Sequence, residues 1–352
     1  MSGIKRSGRW LACALMAAAR AGCAQLAYYG QAARGQYALW FGARPVDAWL
    51  DDPATDAALK ARLRRTRQIR AFAVSELGLP DNGSYKSYAA LGRPYVLWNV
   101  VATPELSLAP LQWCFPVAGC VNYRGYYDKA AAQAYAAELR AEHYDVQVGG
   151  VPAYSTLGWF DDPLLSTFIH YSDAELARLI FHELAHQLIY VAGDSQFNES
   201  FAGAVEEAGV QRWLERYGDA AARDNYALYA RRRGEFLALL LKHRAALKAL
   251  YGGALPAPRQ REEKARIFAA LQDDYQLLKK NWGGYAAYDR WFAEPLSNAH
   301  LASVATYNDF LPAFEKLLAE KKTIRAFYAA AHKLAKLDKE ERRRALRQLE
   351  RP

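Results

Sequence analysis

The stretch Ser172-Asp-Ala-Glu-Leu-Ala-Arg-Leu-Ile-Phe-His-Glu-Leu-Ala-His-Gln187 constrains the fold more than any other part of the 352-residue chain. Ser172 and Glu175 have the spacing of a capping box, and Tyr171 and Leu176 that of a hydrophobic staple, so a helix begins here and runs to about Val191. Leu179, Ile180, Phe181, Leu184, Ala185, Leu188 and Ile189 make it apolar enough to be buried, which keeps the local dielectric low.

On that helix His182 and His186 are four residues apart. Their side chains lie about 40° apart around the axis and ~6 Å along it, on one face, where two imidazoles can grip one ion. Glu183 points to the flank of the same face, within reach of a metal-bound water. His-Glu-x-x-His is the metallopeptidase arrangement, and it predicts one Zn²⁺ as cofactor and a peptide as substrate. Such a site needs three protein ligands and one open position, where a bound water becomes a nucleophile near neutral pH. The carboxylate takes the proton of that water and later delivers it to the leaving amine. The alternative is two satisfied core histidines on a buried helix.

A third ligand is available shortly downstream. After the turn Ala192-Gly193-Asp194-Ser195, Phe197-Asn-Glu-Ser-Phe-Ala202 opens a second, antiparallel helix carrying Glu206, Glu207, Trp213 and Leu214. Glu199 can close a His-His-Glu set. Glu206 can instead supply the third ligand, support a ligand histidine through its other ring nitrogen, or, like Glu207, receive a substrate α-amine.

The N-terminus has the layout of a secretory signal over residues 1–22: Lys5, Arg6 and Arg9, an apolar run from Trp10 to Ala19, then Ala21 and Gly22 before Cys23. The apolar run is too short to span a bilayer. Cys23 is the lipidation candidate of a lipobox-like site, although Arg20 stands where an aliphatic residue is usual, and Ala24 is compatible with sorting to the outer membrane. The expectation is an exported, periplasmic protein held to the membrane by a lipid anchor. Export favours a disulfide between Cys114 and Cys120, with free buried thiols as the alternative. Their spacing does not suit a zinc knuckle, and Cys13 is lost with the signal.

Composition narrows the classes further. With 52% hydrophobic and 24% charged residues the chain can fold and is not disordered. Removing Lys5, Arg6, Arg9 and Arg20 takes the formal charge from +9 to +5, too mild to predict a nucleic-acid partner. Much of the remaining excess lies in Lys339, Arg342, Arg343, Arg344, Arg347 and Arg351, interleaved with Glu340, Glu341 and Glu350 as on a solvated helix.

Along the chain, residues 46–80 read as one helix stopped by Gly78-Leu79-Pro80. Turn chemistry from Asp81-Asn82-Gly83 then leads to a β-rich run, Tyr95–Val101. An Ala-rich helix over about 128–142 precedes a strand at Asp145–Val148 and a second strand-like stretch, Ala153–Trp159, placed where an edge strand could pair with substrate backbone. From residue 172 the pattern is almost wholly helical, with breaks near Gly193, Gly218, Gly252-Gly253 and Gly283-Gly284. The fold class is α+β: a mixed N-terminal half with a small β-sheet, 23–165, packed on a mainly helical C-terminal half, 166–352, within one domain.

Several blocks together resemble a known family. Trp113-Cys-Phe-Pro-Val-Ala-Gly-Cys120, Tyr123-Arg-Gly-Tyr126, Ala153–Pro163, His182-Glu-Leu-Ala-His-Gln187 and Phe197–Ala202 make the mature chain similar to the bacterial family of putative zinc aminopeptidase lipoproteins. Asn198-Glu199-Ser200-Phe201-Ala202 resembles the Asn-Glu-Gly-Phe-Ala element of gluzincin aminopeptidases, whose Glu is the third zinc ligand and which place another Glu at the offset of Glu206. The gap of 12 residues between His186 and Glu199 is shorter than in those enzymes, so the two helices must be joined more tightly. The resemblance implies a zincin-like fold and an aminopeptidase. A zinc endopeptidase, or a non-catalytic lipid-anchored envelope protein whose metal braces two helices, are the alternatives. For the oxyanion, Tyr288 and Tyr307 lie after the ligands as the gluzincin tyrosine does, and Arg124 is a further candidate. His143, His170, His243, His300 and His332 have no ligand spacing and read as structural or exposed.

Overall fold

The computed structural model describes residues 25–115 and 119–350, without the side chains of 305–308. The signal-like segment and the lipidation candidate Cys23 lie outside the described residues. The chain opens with helix α1, residues 25–42. There follow strand β1 (Arg44–Pro45) and helices α2 (Val46–Asp51) and α3 (Ala57–Ser75). The single helix expected over 46–80 is thus two. Pro53 forces Asp52 into an extended conformation, φ −72° and ψ 115°, and Asp56 then caps a fresh start by accepting the Ala58 and Leu59 N–H groups.

Strands β2 (Ser87–Ala89), β3 (Leu97–Pro104), β4 (Trp113–Phe115), β5 (Gly119–Val121) and β6 (Arg124–Tyr126) come next, then helix α4 (Lys129–Ala141) and strands β7 (Tyr144–Val151) and β8 (Leu164–Leu165). They form three small sheets, ordered β1-β2-β8, β6-β3-β7 and β4-β5. The antiparallel β3–β7 ladder runs from the Leu97/Val151 pair to Pro104/Tyr144. On β3, Trp98, Val100 and Ala102 alternate inward and pack with Val146 against Ala132, Ala136 and Leu139 of α4. The Cys114 and Cys120 sulfurs are bonded across the β4–β5 hairpin.

Ala153–Trp159 is not a strand. Leu157 and Gly158 both take left-handed conformations, φ +58° and +79°, and reverse the chain. The buried Asp162 carboxylate accepts the Thr156 N–H, and Thr156 itself bonds both backbone groups of Phe160, so local side chains replace a ladder.

The rest is helical: α5 (Asp173–Leu188), α6 (Ser195–Tyr217), α7 (Ala220–Tyr251), α8 (Ala257–Asn281), α9 (Asn298–Asn308), α10 (Leu311–Lys321), α11 (Ile324–Ala335) and α12 (Lys339–Leu349). The architecture is mixed α+β with helix predominating, as the periodicity predicts. The α5–α6 hairpin runs through the largest core, where Phe181, Leu184, Phe201 and Trp213 meet Phe72 of α3, Phe314 of α10 and Phe327 of α11. A separate cluster joins α7 to α8 through Phe236, Leu240, Phe268 and Tyr275.

The basic last helix is solvated at Lys339, Arg344 and Arg347, as its charge pattern predicts, and departs from that pattern at one residue. Arg342 is buried, and its Nε donates to the equally buried Asp194 at 2.9 Å. Lys339 Nζ reaches Gly193 O at 2.8 Å. The last helix therefore clamps the turn between α5 and α6.

Candidate metal centre

The helix that carries the motif starts as its sequence dictates. Ser172 accepts the Glu175 N–H while the Glu175 carboxylate accepts from Ser172 N, a complete capping box. It ends at Leu188, three residues earlier than the apolar pattern suggests. Asn198 closes the turn to α6: its Oδ1 accepts from Val191 N at 2.8 Å and its Nδ2 donates to Val191 O at 2.9 Å. Asp194 caps α6 by accepting the Phe197 N–H. These bonds are how so short a connection folds back, and they bring the first turn of α6 beside the last turns of α5.

His182, His186 and Glu199 meet there. The two Nε2 atoms stand 3.1 Å apart, and Glu199 Oε2 lies 3.2 Å from the first and 3.7 Å from the second. Donors bound about 2.0–2.1 Å from one tetrahedral ion stand roughly 3.3 Å from each other, so the spacing suits a shared zinc. Among the described residues no other trio of His, Cys, Asp or Glu converges in this way. The donor set, two imidazoles and a carboxylate, is also of the right chemical type.

Glu206 sits behind this group. Its Oε2 accepts from His182 Nδ1 at 2.8 Å, and its Oε1 from Arg178 Nη1 at 2.8 Å, with Arg233 Nη1 at 3.5 Å. It therefore faces the ring nitrogen opposite the converging atoms. Of the three roles open to it from the sequence, the geometry matches support of His182, with neither oxygen left for a third-ligand position or an α-amine. Glu207 is held by Arg233 at 2.6 Å and Tyr226 at 3.1 Å and does not line the cleft.

The electrostatics gather positive charge at this point. With its Nδ1 proton given to Glu206, His182 directs Nε2 at a carboxylate and at a second imidazole nitrogen. Burial alone would lower the His182 pKa, but the hydrogen bonds to Glu199 and Glu206 outweigh it and raise the pKa to about 10. Burial would likewise raise Glu199, yet the His186 charge and the bonds to both histidines hold it at about 2. The positive charge that these carboxylates attract thus sits on His182 itself, and an ion bound at Nε2 would take the place of that proton. Glu183 is different: burial pushes its carboxyl up, only partly opposed by His182 and His186.

The trio opens into a cleft of about 500 Å³. Glu183 lines it beside the histidines, and Val151, Pro152, Ala153, Tyr154 and Ser155 also form part of the wall. Gln187, the residue after the motif, ties the end of α5 to the loops beside it, accepting from Asn82 Nδ2 at 2.6 Å and donating to Ser84 Oγ and Asp162 Oδ2 at 3.2 Å each. Helix α1 contributes Tyr28 and Ala32 to the lining, and its Gln36 accepts from the Tyr127 and Tyr154 hydroxyls.

The oxyanion candidates fare differently. Tyr288 stacks on Phe236 with ring centres 3.9 Å apart and does not line the cleft. Tyr307 lies on α9, its side chain outside the described ones. Arg124 is sandwiched over the rings of Tyr28 and Tyr135, at 4.0 and 4.5 Å. Of the tyrosines that line the cleft, Tyr28, Tyr123, Tyr127, Tyr154 and Tyr190, it is Tyr123 and Tyr190 that feel the charge of Glu199. Burial and the Glu199 charge raise both phenols. Tyr190 was within reach of sequence reasoning, four residues after His186 and with its ring centre 6.4 Å from that imidazole. Tyr123 had no such periodic signal. Of the remaining histidines, His243 bonds Asp274 and His300 accepts from Ser297 N, both buried, while His143, His170 and His332 are exposed.

Residues 27–346 match the family described as "Putative aminopeptidase". No curated protein and no solved structure matches the chain.

Proposed function

The chain belongs to the putative aminopeptidase family, and on that premise we propose that it is an exported, zinc-dependent peptidase of zincin-like fold. One observation carries the reading: the ligating atoms of His182, His186 and Glu199 all lie within 4.8 Å of one another at the wall of a cleft. His182 Nε2, His186 Nε2 and the Glu199 carboxylate would hold the ion. When bound, Zn²⁺ supplies Lewis acidity and lowers the pKa of water toward neutrality.

The remaining work belongs to the chain. Glu206 keeps the proton on His182 Nδ1, which leaves Nε2 as a donor atom and fixes the ring. Glu183 takes the proton of the attacking water and returns it to the amine nitrogen as the C–N bond breaks. Tyr123 and Tyr190 keep their phenolic protons and can donate one to the carbonyl oxygen as it gains negative charge. The 151–155 wall offers backbone groups to a peptide, a role proposed for it as a loop rather than as the edge strand its sequence suggests. Cys23 is the proposed lipid anchor, placing the enzyme on the periplasmic side of the outer membrane as a single catalytic domain.

The test is metal analysis of the purified protein together with peptide turnover. One zinc per chain and cleavage of peptides with a free α-amine but not of N-blocked ones is the expected result. Cleavage of both would make it an endopeptidase. Bound zinc without turnover of any peptide would reduce the metal to a brace between α5 and α6.

A further inference from the structure

The cleft carries guanidinium N–H donors that hydrolysis does not use. Arg178, one turn before His182 on α5, and Arg233, on α7, both line it, with side chains 25% and 35% exposed. Arg178 gives one Nη1 bond to Glu206, and Arg233 gives its short bond to Glu207. A guanidinium has five N–H donors in a fixed fork, so most of each fork is left over. The Arg178 Nε is buried with no partner.

The acceptor side is used up. Among the described residues lining the cleft, the carboxylates are Glu183, Glu199 and Glu206. The first is assigned as base, the second as ligand, and the third is engaged on both oxygens. Glu206 and Glu207 balance the two charges, but one close bond to each carboxylate leaves N–H donors of both forks unused. An anion entering the cleft finds two guanidiniums with N–H groups to spare.

We propose that Arg178 and Arg233 form a subsite for a substrate carboxylate, so that the preferred substrates are short peptides carrying such a group within reach of the metal centre. The proposal rests on the peptidase reading and narrows its substrate class. The planar forks suit either source of the group, a C-terminal α-carboxylate or an Asp or Glu side chain. A cleft of about 500 Å³ is the size of a small-ligand pocket, which fits a peptide of a few residues with both of its ends inside.

The experiment measures binding apart from turnover. The full chain carrying Glu183→Gln is loaded with zinc and titrated calorimetrically with Ala-Ala, Ala-Ala amide and Ala-Glu amide. At least one carboxylate-bearing peptide should bind about tenfold or more tighter than the neutral amide, as expected for a bidentate charged pair. Tight Ala-Ala identifies the α-carboxylate as the preferred source, and tight Ala-Glu amide the side chain. Adding Arg233→Gln should bring that ratio to within about twofold, and Arg233→Lys, which keeps the charge partner of Glu207 but not the fork, should restore part of it. Equal binding of all three peptides overturns the subsite, as does a ratio that survives Arg233→Gln in protein of unchanged zinc content and melting temperature. If the ratio is present but the chain with Glu183 intact cleaves none of the peptides, the peptidase reading fails and the subsite stands.

Discussion

At the scale of single residues, the centre divides its carboxylates by what each one faces. Glu199 faces the two Nε2 atoms, Glu206 the far nitrogen of His182, and Glu183 the cleft, so the first two are held ionised at about 2 by their cationic partners while burial raises the third. Glu183→Gln keeps the size and removes the base, so zinc content should stay at the wild-type value while kcat/KM falls by about 10²-fold or more. Metal analysis alongside peptide turnover checks this, and a variant of full activity would take Glu183 out of the mechanism. Glu206→Gln should act on the ion instead. It removes the charge that orients His182 and leaves Arg178 without its partner, so zinc affinity should fall about 10–100-fold in a chelator competition. Unchanged affinity would mean that His182 is held by something else. The histidines and Glu199 were legible because four-residue spacing and a short turn carry the information locally. What Glu206 does was not, since the sequence offered three roles and only the direction of His182 Nδ1 selects among them. Tyr123 was illegible for a simpler reason: it arrives from the loop between β5 and β6, far from the motif in sequence.

At the scale of elements, the site depends on how closely α5 and α6 approach. Gly209 of α6 is where they meet: a Cβ there would stand 2.6 Å from Phe181 Cδ2 and 2.8 Å from Leu77 Cδ1, both fully buried. Gly203, two turns nearer the ligand, has only the end of Leu311 at 3.3 Å. The two positions therefore predict opposite results for the same substitution. Gly→Ala inside a helix is worth up to about 1 kcal/mol of stability, and overpacking a tight core costs about 1–3 kcal/mol. Gly203→Ala should be neutral or raise the urea midpoint, and Gly209→Ala should lower it; equal shifts would show that the helices do not touch at Gly209. Elements whose signals are local were read well, such as the capping box of α5 and the glycine breaks between the later helices. Errors arose where a local competitor won. Pro53 and the Asp56 cap divide the helix expected over 46–80, and the Asp162 carboxylate takes the Thr156 N–H that a strand over 153–159 would have offered to a neighbour.

At the scale of the whole molecule, the turn that sets the ligand spacing is held from both sides by distant parts of the chain. The disulfide hairpin leans on it through Gly119, φ +71°, where a Cβ would stand 2.6 Å from the Gly193 nitrogen. From the other side Arg342 of α12 reaches Asp194 across 148 residues, the two side chains 4% and 2% exposed, and also donates to Ala335 O and Leu337 O. Periodicity could not reveal this. A basic residue among glutamates reads as solvated until the partner that buries it is known, and that partner is the N-cap of α6, in the hairpin that carries the candidate metal centre. Two consequences follow from the burial. Arg342→Met leaves the Asp194 carboxylate buried and unpaired, so it should destabilise the protein by about 3–5 kcal/mol in urea unfolding, far more than loss of an exposed pair. Neutralising the orphan as well, in Arg342→Met with Asp194→Asn, should recover part of that loss, because the largest penalty is the uncompensated charge and Asn can still cap α6. A single variant as stable as wild type would mean that α12 merely rests on the hairpin. Partial recovery in the double variant, with a lowered zinc affinity in the single one, would show that the far end of the chain helps to keep His186 and Glu199 together.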